Sequence, residues 1–494
     1  MKAVVIGSGV AGMASSIRLA LMGLEVHVFE ASSYPGGKLH EFWMDGYRFD
    51  AGPSVSTMTW LVDELYELAG KNPRDHFNYK RKELICRYFY PDGTHISGYA
   101  NRDKFCSEVE EKTGVSGDVI RKYLDHSKKN HELAGRIFLQ ESIHKAGTFM
   151  TRDALKAIAR FPQLDITNTL NKVNSKRLKH PKLVQLFNRY ATFNGSSPYV
   201  APGILNTIAH LEYNLGTYFI EGGFYGMTKA LYELATECGV TFHFNEKVER
   251  IRVERKETTG IETTNGNYDA DIVLSNMDVV PTYRKLLAEE KAPEKILRQE
   301  RSTSMMVFYW GVKDVFPELD LHNAFFSADY KHEFDCLFNT KTITDDPTIY
   351  INNTVKDQPS DAPPGCENWF VMVNVPANYG QDWDALIERT RENVQRKLSN
   401  ILGRDIKPLI ACERILEPRV VEAQTSSYMG SIYGASSNNM FAAFLRHANF
   451  SNKIKGLYFA GGSVHPGGGT PLCLLSAKIA AERIGKDFAM AHSA

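Results

Sequence analysis

The chain opens with two short apolar runs separated by a stretch in which apolar residues recur at helical spacing. Residues 3–6 and 25–29 have the length and composition of buried strands, and residues 13–22 form the helical stretch between them. Gly23 stands where a glycine commonly ends a helix. This order predicts a β-α-β unit and places the beginning of the chain in the α/β fold class.

Two later apolar runs predict a second sheet. Residues 304–312 and 369–375 are rich in β-branched and aromatic side chains, which favours long strands. Residues 85–96 have the pattern of a hairpin with an Asp-Gly turn, and residues 101–160 mostly follow a helical period. We expect a mixed sheet with helices (α+β elements), in which the two long strands form the floor of a substrate cavity.

A Gly-x-Gly-x-x-Gly motif follows the first strand and opens the helix. In such a motif the first glycine permits a tight turn, the second lets the backbone approach a pyrophosphate, and the third lets helix and strand pack closely. The helix N-terminus adds free N–H groups and the positive end of its dipole. A glycine turn without a ligand is the alternative, which the flanking strand and helix disfavour. The motif predicts dinucleotide contacts from Gly7, Gly9, Val10, Ala11 and Gly12.

An acidic residue at the end of the second strand supports the same interpretation. Glu30 stands where a carboxylate accepts hydrogen bonds from the adenosine ribose and repels the 2′-phosphate of NADP. After five further residues comes Gly36-Gly37-Lys38. This spacing resembles the second fingerprint of the glutathione-reductase-type FAD superfamily. The resemblance implies FAD, a backbone turn close to it, and a cation near its phosphates. A Pro-Gly loop with a solvated lysine is the alternative, which its position directly after the β-α-β unit disfavours.

A glycine-rich segment near the end of the chain carries the most specific pattern. Residues 456–460 predict a strand, residues 461–471 are rich in glycine, and the following residues predict a helix. The segment resembles the C-terminal signature of the bacterial-type phytoene desaturase family of carotenoid desaturases. The resemblance implies a helix whose positive end faces the flavin. It implies cofactor contacts from Gly461, Gly462, Ser463, Pro471 and Leu472.

Segments in the interior of the chain resemble the same family. The resemblance implies that the backbone of Val248 holds the adenine and that residues 269–276 return to the nucleotide-binding sheet. Lys38 departs from the family, which usually has arginine there, so a bidentate phosphate contact becomes a point charge. Residues 49–54 resemble the loop beneath the isoalloxazine ring, which implies cofactor contacts from Gly52, Pro53 and Ser54.

Residues 187–199 and 471–475 resemble the hydroxycarotenoid 3,4-desaturase branch of this family. The resemblance implies an FAD-dependent enzyme that introduces a C=C bond into a linear carotenoid end group, by 3,4-desaturation of a 1-hydroxycarotenoid. A hydride goes to flavin N5, the second hydrogen leaves as a proton, and oxygen or a quinone takes the electrons. The proton acceptor stays open among Asp50, Glu221, His465 and water, and we favour a structural role for His465.

Other proteins on the same scaffold are alternatives. They are phytoene desaturase, a carotenoid isomerase or saturase, and an amine oxidase or other FAD oxidase. A non-enzymatic lipid-binding protein similar to the Rab GDP-dissociation inhibitors is an alternative of another class. The complete glycine motifs at both ends of the chain disfavour a protein without flavin.

The motifs divide the chain into two interleaved domains. Residues 1–80, 218–290 and 451–494 are predicted to form a Rossmann-type FAD-binding domain of the glutathione-reductase and amine-oxidase-like superfamily. Residues 81–217 and 291–450 are predicted to form the substrate-binding domain.

The amino-acid composition limits the classes of partner and the cellular compartment that we expect for this protein. The 58 basic and 58 acidic residues give a net charge of zero, which disfavours a nucleic-acid-binding protein. The 7 scattered cysteines contain no CxxC pair, so we predict neither a metal site nor a redox dithiol. Their odd number favours a reducing compartment, hence the cytoplasm. Apolar stretches are too short for a transmembrane helix, and we expect none.

Residues 145–182 carry a local excess of positive charge. Nine basic residues stand against Asp153 and Asp165, a surplus of seven charges. Because a carotenoid resides in the bilayer, we predict that this segment docks peripherally on the cytoplasmic face of the membrane. A solvated helix that packs on the protein's own core is the alternative. The apolar residues predicted to face the bilayer are Phe149, Met150, Leu155, Ile158, Phe161, Leu164, Ile166 and Leu170.

Overall fold

The computed structural model describes residues 1–142, 144, 164–439 and 446–491. Its strands are β1 (Lys2–Ile6), β2 (Glu25–Phe29), β3 (Glu41–Met44), β4 (Tyr47–Asp50), β5 (Tyr79–Arg81), β6 (Leu84–Phe89), β7 (His95–Tyr99), β8 (Tyr218–Ile220), β9 (Thr241–His243), β10 (Val248–Glu254), β11 (Glu257–Thr263), β12 (Asn267–Asp269), β13 (Ile272–Ser275), β14 (Ser304–Val312), β15 (His322–Phe325), β16 (Ile349–Asn353), β17 (Glu367–Val375), β18 (Ile410–Leu416) and β19 (Leu457–Phe459).

The longer helices of the described residues are α1 (Val10–Leu21), α2 (Trp60–Leu68), α3 (Arg102–Thr113), α4 (Gly117–Gln140), α5 (Leu170–Leu178), α6 (Pro181–Asn188), α7 (Gly223–Glu237), α8 (Trp383–Leu402), α9 (Pro418–Thr425) and α10 (Thr470–Ala491). Shorter α-helical turns lie at Thr207–Ala209, Val279–Pro281, Glu294–Leu297 and Tyr330–Asp335. Among the described residues, none of the helices has the length and apolarity that a bilayer crossing requires.

A five-stranded parallel sheet joins the beginning and the end of the chain. Its strand order is β19-β13-β1-β2-β9, with parallel pairing throughout. The predicted β-α-β unit is confirmed as β1, α1 and β2. The helix begins at Val10, three residues earlier than predicted, because the backbone leaves the extended conformation directly after Gly9. The strands predicted within residues 269–276 and 456–460 enter this sheet as β13 and β19.

The helices α1, α7 and α10 cover one face of this sheet with a continuous apolar core. Met13 and Ile17 of α1 pack with Val5 of β1, Leu231 of α7 and Ile484 of α10, all fully or almost fully buried. Each such side chain contributes about 1.5–3 kcal/mol by leaving water. This core fixes the start of α1 against the carboxyl ends of the strands, where parallel sheets bind ligands.

A seven-stranded mixed sheet forms a second layer, in the order β18-β14-β17-β16-β15-β6-β7. The two long strands predicted from the sequence are confirmed as β14 and β17, which pair antiparallel. The predicted hairpin is confirmed as β6 and β7. On one side of the sheet Phe308 and Trp310 pack in the core that α8 covers. The opposite side, which carries Val307, Tyr309 and Tyr350, is the inner face.

Helices cover one end of the inner face. Tyr88 of β6 packs in one core with Phe105 of α3, Tyr123 of α4 and Phe187 of α6. The helical region predicted at 101–160 is confirmed in α3 and α4, and its part from residue 145 onward lies outside the described residues. The assignment of the two sheets to an FAD-binding and a substrate-binding domain stays a prediction.

Candidate cofactor and substrate site

The loop between β1 and α1 is so tight that its third glycine has no room for a side chain. A Cβ atom on Gly12 would overlap the carbonyl oxygen of Gly7, whose own φ of +92° favours glycine. Gly9 precedes the helix, and Val10 and Ala11 are buried in its first turn. Because an α-helix leaves its first N–H groups without intrahelical partners, this turn can bind a phosphate.

Glu30 lies directly beyond β2, with its carboxylate fixed over the glycine loop. Oε2 accepts hydrogen bonds from the N–H and the hydroxyl of Ser8, both at 2.8 Å. Oε1 accepts one from Ser32 N–H at 2.9 Å. The N–H of Glu246 donates to the carbonyl of Glu30 at 3.0 Å, and Val248 begins β10 two residues later. The two residues predicted to hold adenosine therefore lie in one part of the molecule.

The second glycine motif folds back onto the first. Gly36 N–H donates to the carbonyl of Ser8 at 2.9 Å, and a Cβ atom on Gly37 would lie 3.5 Å from Cα of Gly9. Lys38 follows directly. Burial lowers the pKa of Lys38, and the carboxylate of Asp278 opposes this shift. The backbone at Gly37 thus lies beside the glycine loop, whereas the side chain of Lys38 lies near Asp278 and Cys473, and its contact with phosphate stays a prediction.

The loop after β4 lies against the same turn. A Cβ atom on Gly52 would overlap the carbonyl oxygen of Lys38, so only glycine lets the two backbones lie this close. Pro53 and Ser54 follow and are partly accessible. The hydroxyl of Ser54 lies near the phenol of Tyr350, where it opposes the rise in the phenol's pKa that burial causes. The loop predicted to lie beneath the flavin therefore contacts the inner face of the seven-stranded sheet.

Asn276, just after β13, joins the first and last glycine segments, and the sequence analysis missed it. Its Nδ2 donates to the carbonyl of Ala460 at 2.7 Å. Its side chain also stands 2.6 Å from the position of a Cβ atom on Gly9 and 2.7 Å from one on Gly461. A polar residue directly after a parallel strand, at the carboxyl edge of the sheet, is the signal that would have identified it.

The start of α10 completes the site from the C-terminal side. Gly462 precedes Ser463, whose hydroxyl accepts a hydrogen bond from Val279 N–H at 3.0 Å. The first turn of α10 consists of the partly accessible residues Thr470, Pro471 and Leu472.

Arg446 is a buried cation behind this segment, which the sequence analysis also missed. Its guanidinium donates to the carbonyl oxygens of Tyr433 at 3.1 Å, Gly462 at 3.3 Å and Ala435 at 2.8 Å. Burial lowers the pKa of Arg446 to about 10, and the charge of Arg301 adds to this shift. Within the described residues, none of its hydrogen bonds goes to a carboxylate. A positive charge is therefore held beside the predicted cofactor loops.

Asp50, one of the three candidate proton acceptors, is held in a buried ion-pair network. It accepts hydrogen bonds from Arg48 at 2.8 Å and from the N–H groups of Phe224 at 3.0 Å and Tyr225 at 3.2 Å. Burial raises the pKa of Asp50, while Arg48 and the two amides favour the carboxylate. These contacts tie β4 to the N-terminus of α7 and give Asp50 a structural task.

The other two candidates also have surroundings that do not suggest proton transfer. Glu221 is exposed to solvent. His465 is buried, and its Nε2 donates to the carbonyl of Glu141 at 2.9 Å. Burial lowers the pKa of His465 to about 4. We assign no catalytic residue among the three.

The inner face carries side chains that stay partly accessible in the middle of the sheet. Tyr350 of β16 and Met372 of β17 keep part of their surface accessible, whereas Ile351 and Val371, which point to the other side, are fully buried. Tyr309 donates to the carbonyl of Ala51 at 2.9 Å, next to the predicted flavin loop. Partly accessible side chains of the inner face therefore lie near that loop, and the cavity floor stays a prediction.

The residues present fit FAD. The glycine turn before α1 suits a pyrophosphate, the carboxylate of Glu30 suits a ribose, and Lys38 and Arg446 supply positive charge for an anionic group. Such a site on this fold defines a flavin-dependent oxidoreductase. The chain belongs to the flavin containing amine oxidoreductase family, whose model matches residues 10–485. Within the described residues, no cluster of His, Cys, Asp or Glu could hold a metal ion.

Curated relatives of the chain act on carotenoids. The chain is 51% identical to a 1-hydroxycarotenoid 3,4-desaturase of Flavobacterium sp. (strain P99-3), over 98% of this chain and 99% of the relative. It is 31% identical to a 4,4'-diapolycopene oxygenase of Methylomonas sp, over 98% of each. These findings confirm the predicted resemblance to carotenoid desaturases.

Solved structures show the same fold at low sequence identity. An oxidoreductase from Methanosarcina mazei has a TM-score of 0.63 at 16% identity, covering 98% of this chain and 100% of its own. A putrescine oxidase bound to putrescine has a TM-score of 0.64 at 11% identity, covering 99% of both chains. The predicted fold class, FAD and the enzyme class are confirmed, and the individual cofactor contacts stay predictions.

Proposed function

We propose that this protein is an FAD-dependent desaturase that forms the C3=C4 double bond in the linear end group of a 1-hydroxycarotenoid. The observation that carries the proposal is the 51% identity to a 1-hydroxycarotenoid 3,4-desaturase over 98% of the chain. The aromatic and apolar inner face supports it, because a polyene binds to a wall with few polar groups.

The reaction removes one hydrogen from C3 and one from C4. FAD, when bound, supplies the acceptor for the hydride, and the other hydrogen leaves as a proton. The chain's own residues hold the C3–C4 bond beside the loop at Gly52 and exclude water from it. Oxygen or a quinone is the proposed final electron acceptor.

Product analysis tests this function. We expect the flavin-loaded protein in lipid vesicles to convert a linear 1-hydroxycarotenoid to a product with one more conjugated double bond, and hence to a red-shifted absorption. Anaerobic reactions with and without an added quinone identify the electron acceptor. A phytoene or cis-carotenoid substrate tests the desaturase and isomerase alternatives. An active flavoprotein that oxidises an amine and leaves every linear carotenoid unchanged contradicts the proposal.

We propose further that α5 contributes an electrostatic contact with anionic lipid. Its exposed side carries Lys172, Lys176 and Arg177, and Lys179 follows. Its apolar side packs on the protein itself, since Leu170 is buried. Leu164 and Ile166 are buried too, so the prediction that these three apolar residues face the bilayer is wrong. The other five apolar residues of that prediction lie outside the described residues.

Vesicle sedimentation tests the lipid contact. Changing Lys172, Lys176, Arg177 and Lys179 to Glu should weaken binding to anionic vesicles at least tenfold, because each basic residue near such a surface contributes about 1 kcal/mol. Binding should also weaken with added salt. The control changes four exposed basic residues elsewhere to Glu, namely Lys285, Lys291, Lys295 and Arg298. Equal binding of both quadruple variants places the membrane contact elsewhere.

A further inference from the structure

A polar group interrupts the inner face of the seven-stranded sheet at Tyr350. The strand register places Tyr350 between Met372 of β17 and Ala324 of β15, with Tyr88 of β6 beyond Ala324. A wall that binds only hydrocarbon needs no hydroxyl at this position.

Two polar neighbours lie close to the phenol of Tyr350. Burial raises the pKa of Tyr350, and the nearby hydroxyl of Ser54, in the predicted flavin loop, opposes this shift. Nδ1 of His322 lies 2.7 Å from Tyr350 Oη, and Asn352 Nδ2 donates to the same nitrogen at 3.3 Å. Because Nδ1 accepts, the proton of the neutral ring is on Nε2. His322 is 2% exposed, and its Nε2 has no hydrogen-bond partner in the described residues.

The buried ion pair of Arg189 and Glu212 lies close to the phenol of Tyr350. Arg189 donates to the two carboxylate oxygens of Glu212 at 3.0 and 3.3 Å and to Tyr88 Oη at 3.2 Å. Its Nε has no hydrogen-bond partner in the described residues. The charges of Arg189 and Glu212 act on Tyr350 in opposite directions. Nε2 of His322 and Nε of Arg189 are thus two buried N–H donors without an acceptor in the described residues.

The proposed reaction sets the distance at which a substrate oxygen must be bound. A hydroxyl on C1 is separated from C3 by three bonds, so its oxygen lies within about 4 Å of the carbon that reacts. The group that binds it must therefore stand beside the flavin loop. Tyr350 meets this condition, because its ring lies 6.4 Å from that of Phe370, and Phe370 lies 5.5 Å from Tyr309, which donates to Ala51 beside the loop.

We propose that the phenol of Tyr350 binds the tertiary hydroxyl of the substrate and that His322 positions the phenol. This inference rests on the proposed function. The site thereby selects linear carotenoids with an oxygenated end group. The phenol O–H already donates to His322, so a carotenoid without the hydroxyl leaves only the remaining acceptor position of the phenol oxygen without a partner, and this difference produces the selectivity.

The test measures selectivity in the full, flavin-loaded protein. The wild-type protein should bind a 1-hydroxycarotenoid about tenfold more tightly than the matching carotenoid without the hydroxyl. The Tyr350→Phe variant should bind the two carotenoids equally. It should lose affinity only for the hydroxylated carotenoid, and this loss should raise KM more than it lowers kcat. His322→Leu should show a smaller loss of the same kind. The control is Tyr123→Phe. It removes a buried hydrogen bond, the 2.8 Å bond from Tyr123 to Asn174, which lies away from the sheet, and it should keep the selectivity.

Binding and turnover separate the two proposals. A tenfold preference that depends on Tyr350 supports the inference even if the C3–C4 bond is not oxidised, in which case the proposed function fails alone. Desaturation by the wild-type protein combined with unchanged selectivity in Tyr350→Phe overturns the inference alone. An equal loss of kcat on both substrates also overturns it, because the phenol then acts in the chemistry or in folding.

Discussion

Glu30→Arg is expected to purify without FAD. The carboxylate is placed to accept charge-assisted hydrogen bonds from the ribose, each about 1.5–3 kcal/mol, and it also holds Ser8 of the glycine loop at 2.8 Å. Arginine removes the acceptor and frees the loop. We expect at least a hundredfold rise in the Kd for FAD, which corresponds to about 2.8 kcal/mol. The measurement is the flavin content after purification, followed by titration of the apoprotein with FAD.

The control for this prediction lies on the same strand. Glu25 is the exposed first residue of β2 and contacts Lys2 and His27, so Glu25→Arg should keep its full flavin content. Glu30→Gln keeps one acceptor oxygen and should give an intermediate Kd. A Glu30→Arg protein that retains FAD at the wild-type Kd shows that the ribose is bound by another residue.

The sequence predicted those parts of the fold whose pattern is local. The β1-α1-β2 unit is specified by two apolar runs, one helical period and three glycines within thirty residues. β14 and β17 were recognisable because both of their faces are covered, which requires almost continuous apolar runs. The packing of α5 was not recognisable, because its spacing of apolar residues suits a membrane face and a protein core equally.

The parts of the site that the sequence did not predict depend on contacts between residues far apart in the chain. Asn276 acts on glycines 267 and 185 positions away, and Arg48 pairs with an aspartate 313 positions away. Tyr350 looks in the sequence like any aromatic residue of a buried strand. Its significance comes from the register that sets it beside Ala324 and from its hydrogen bond to His322.

Arg446→Met is expected to destabilise the protein and to impair FAD binding together. The guanidinium satisfies three carbonyl oxygens in two separate segments, at Tyr433, Ala435 and Gly462. Removing it leaves buried acceptors unpaired, at about 1–3 kcal/mol each, so we expect a loss of about 3 kcal/mol. The effect on FAD follows from peptide geometry. In a trans peptide the N–H points opposite to the C=O, so the hydrogen bond to the Gly462 carbonyl fixes the N–H of Ser463 on the side away from Arg446. Ser463 is a predicted cofactor contact, so losing this orientation should weaken FAD binding.

Three measurements separate the two effects of Arg446. Urea unfolding of the apoprotein reports the loss of stability without the contribution of bound FAD. FAD titration of the folded variant reports the orientation of the loop and the missing charge. The reduction potential of any bound flavin should fall, because a positive charge nearby favours the anionic reduced form.

Arg446→Lys keeps the charge without the planar fork of donors, so it should restore the potential more than the stability. Arg298→Met, at an exposed ion pair with Glu294, is the control and should change none of the three. If Arg446→Met unfolds like the wild-type apoprotein and binds FAD with the same Kd and potential, the guanidinium neither supports the loop nor acts on the cofactor.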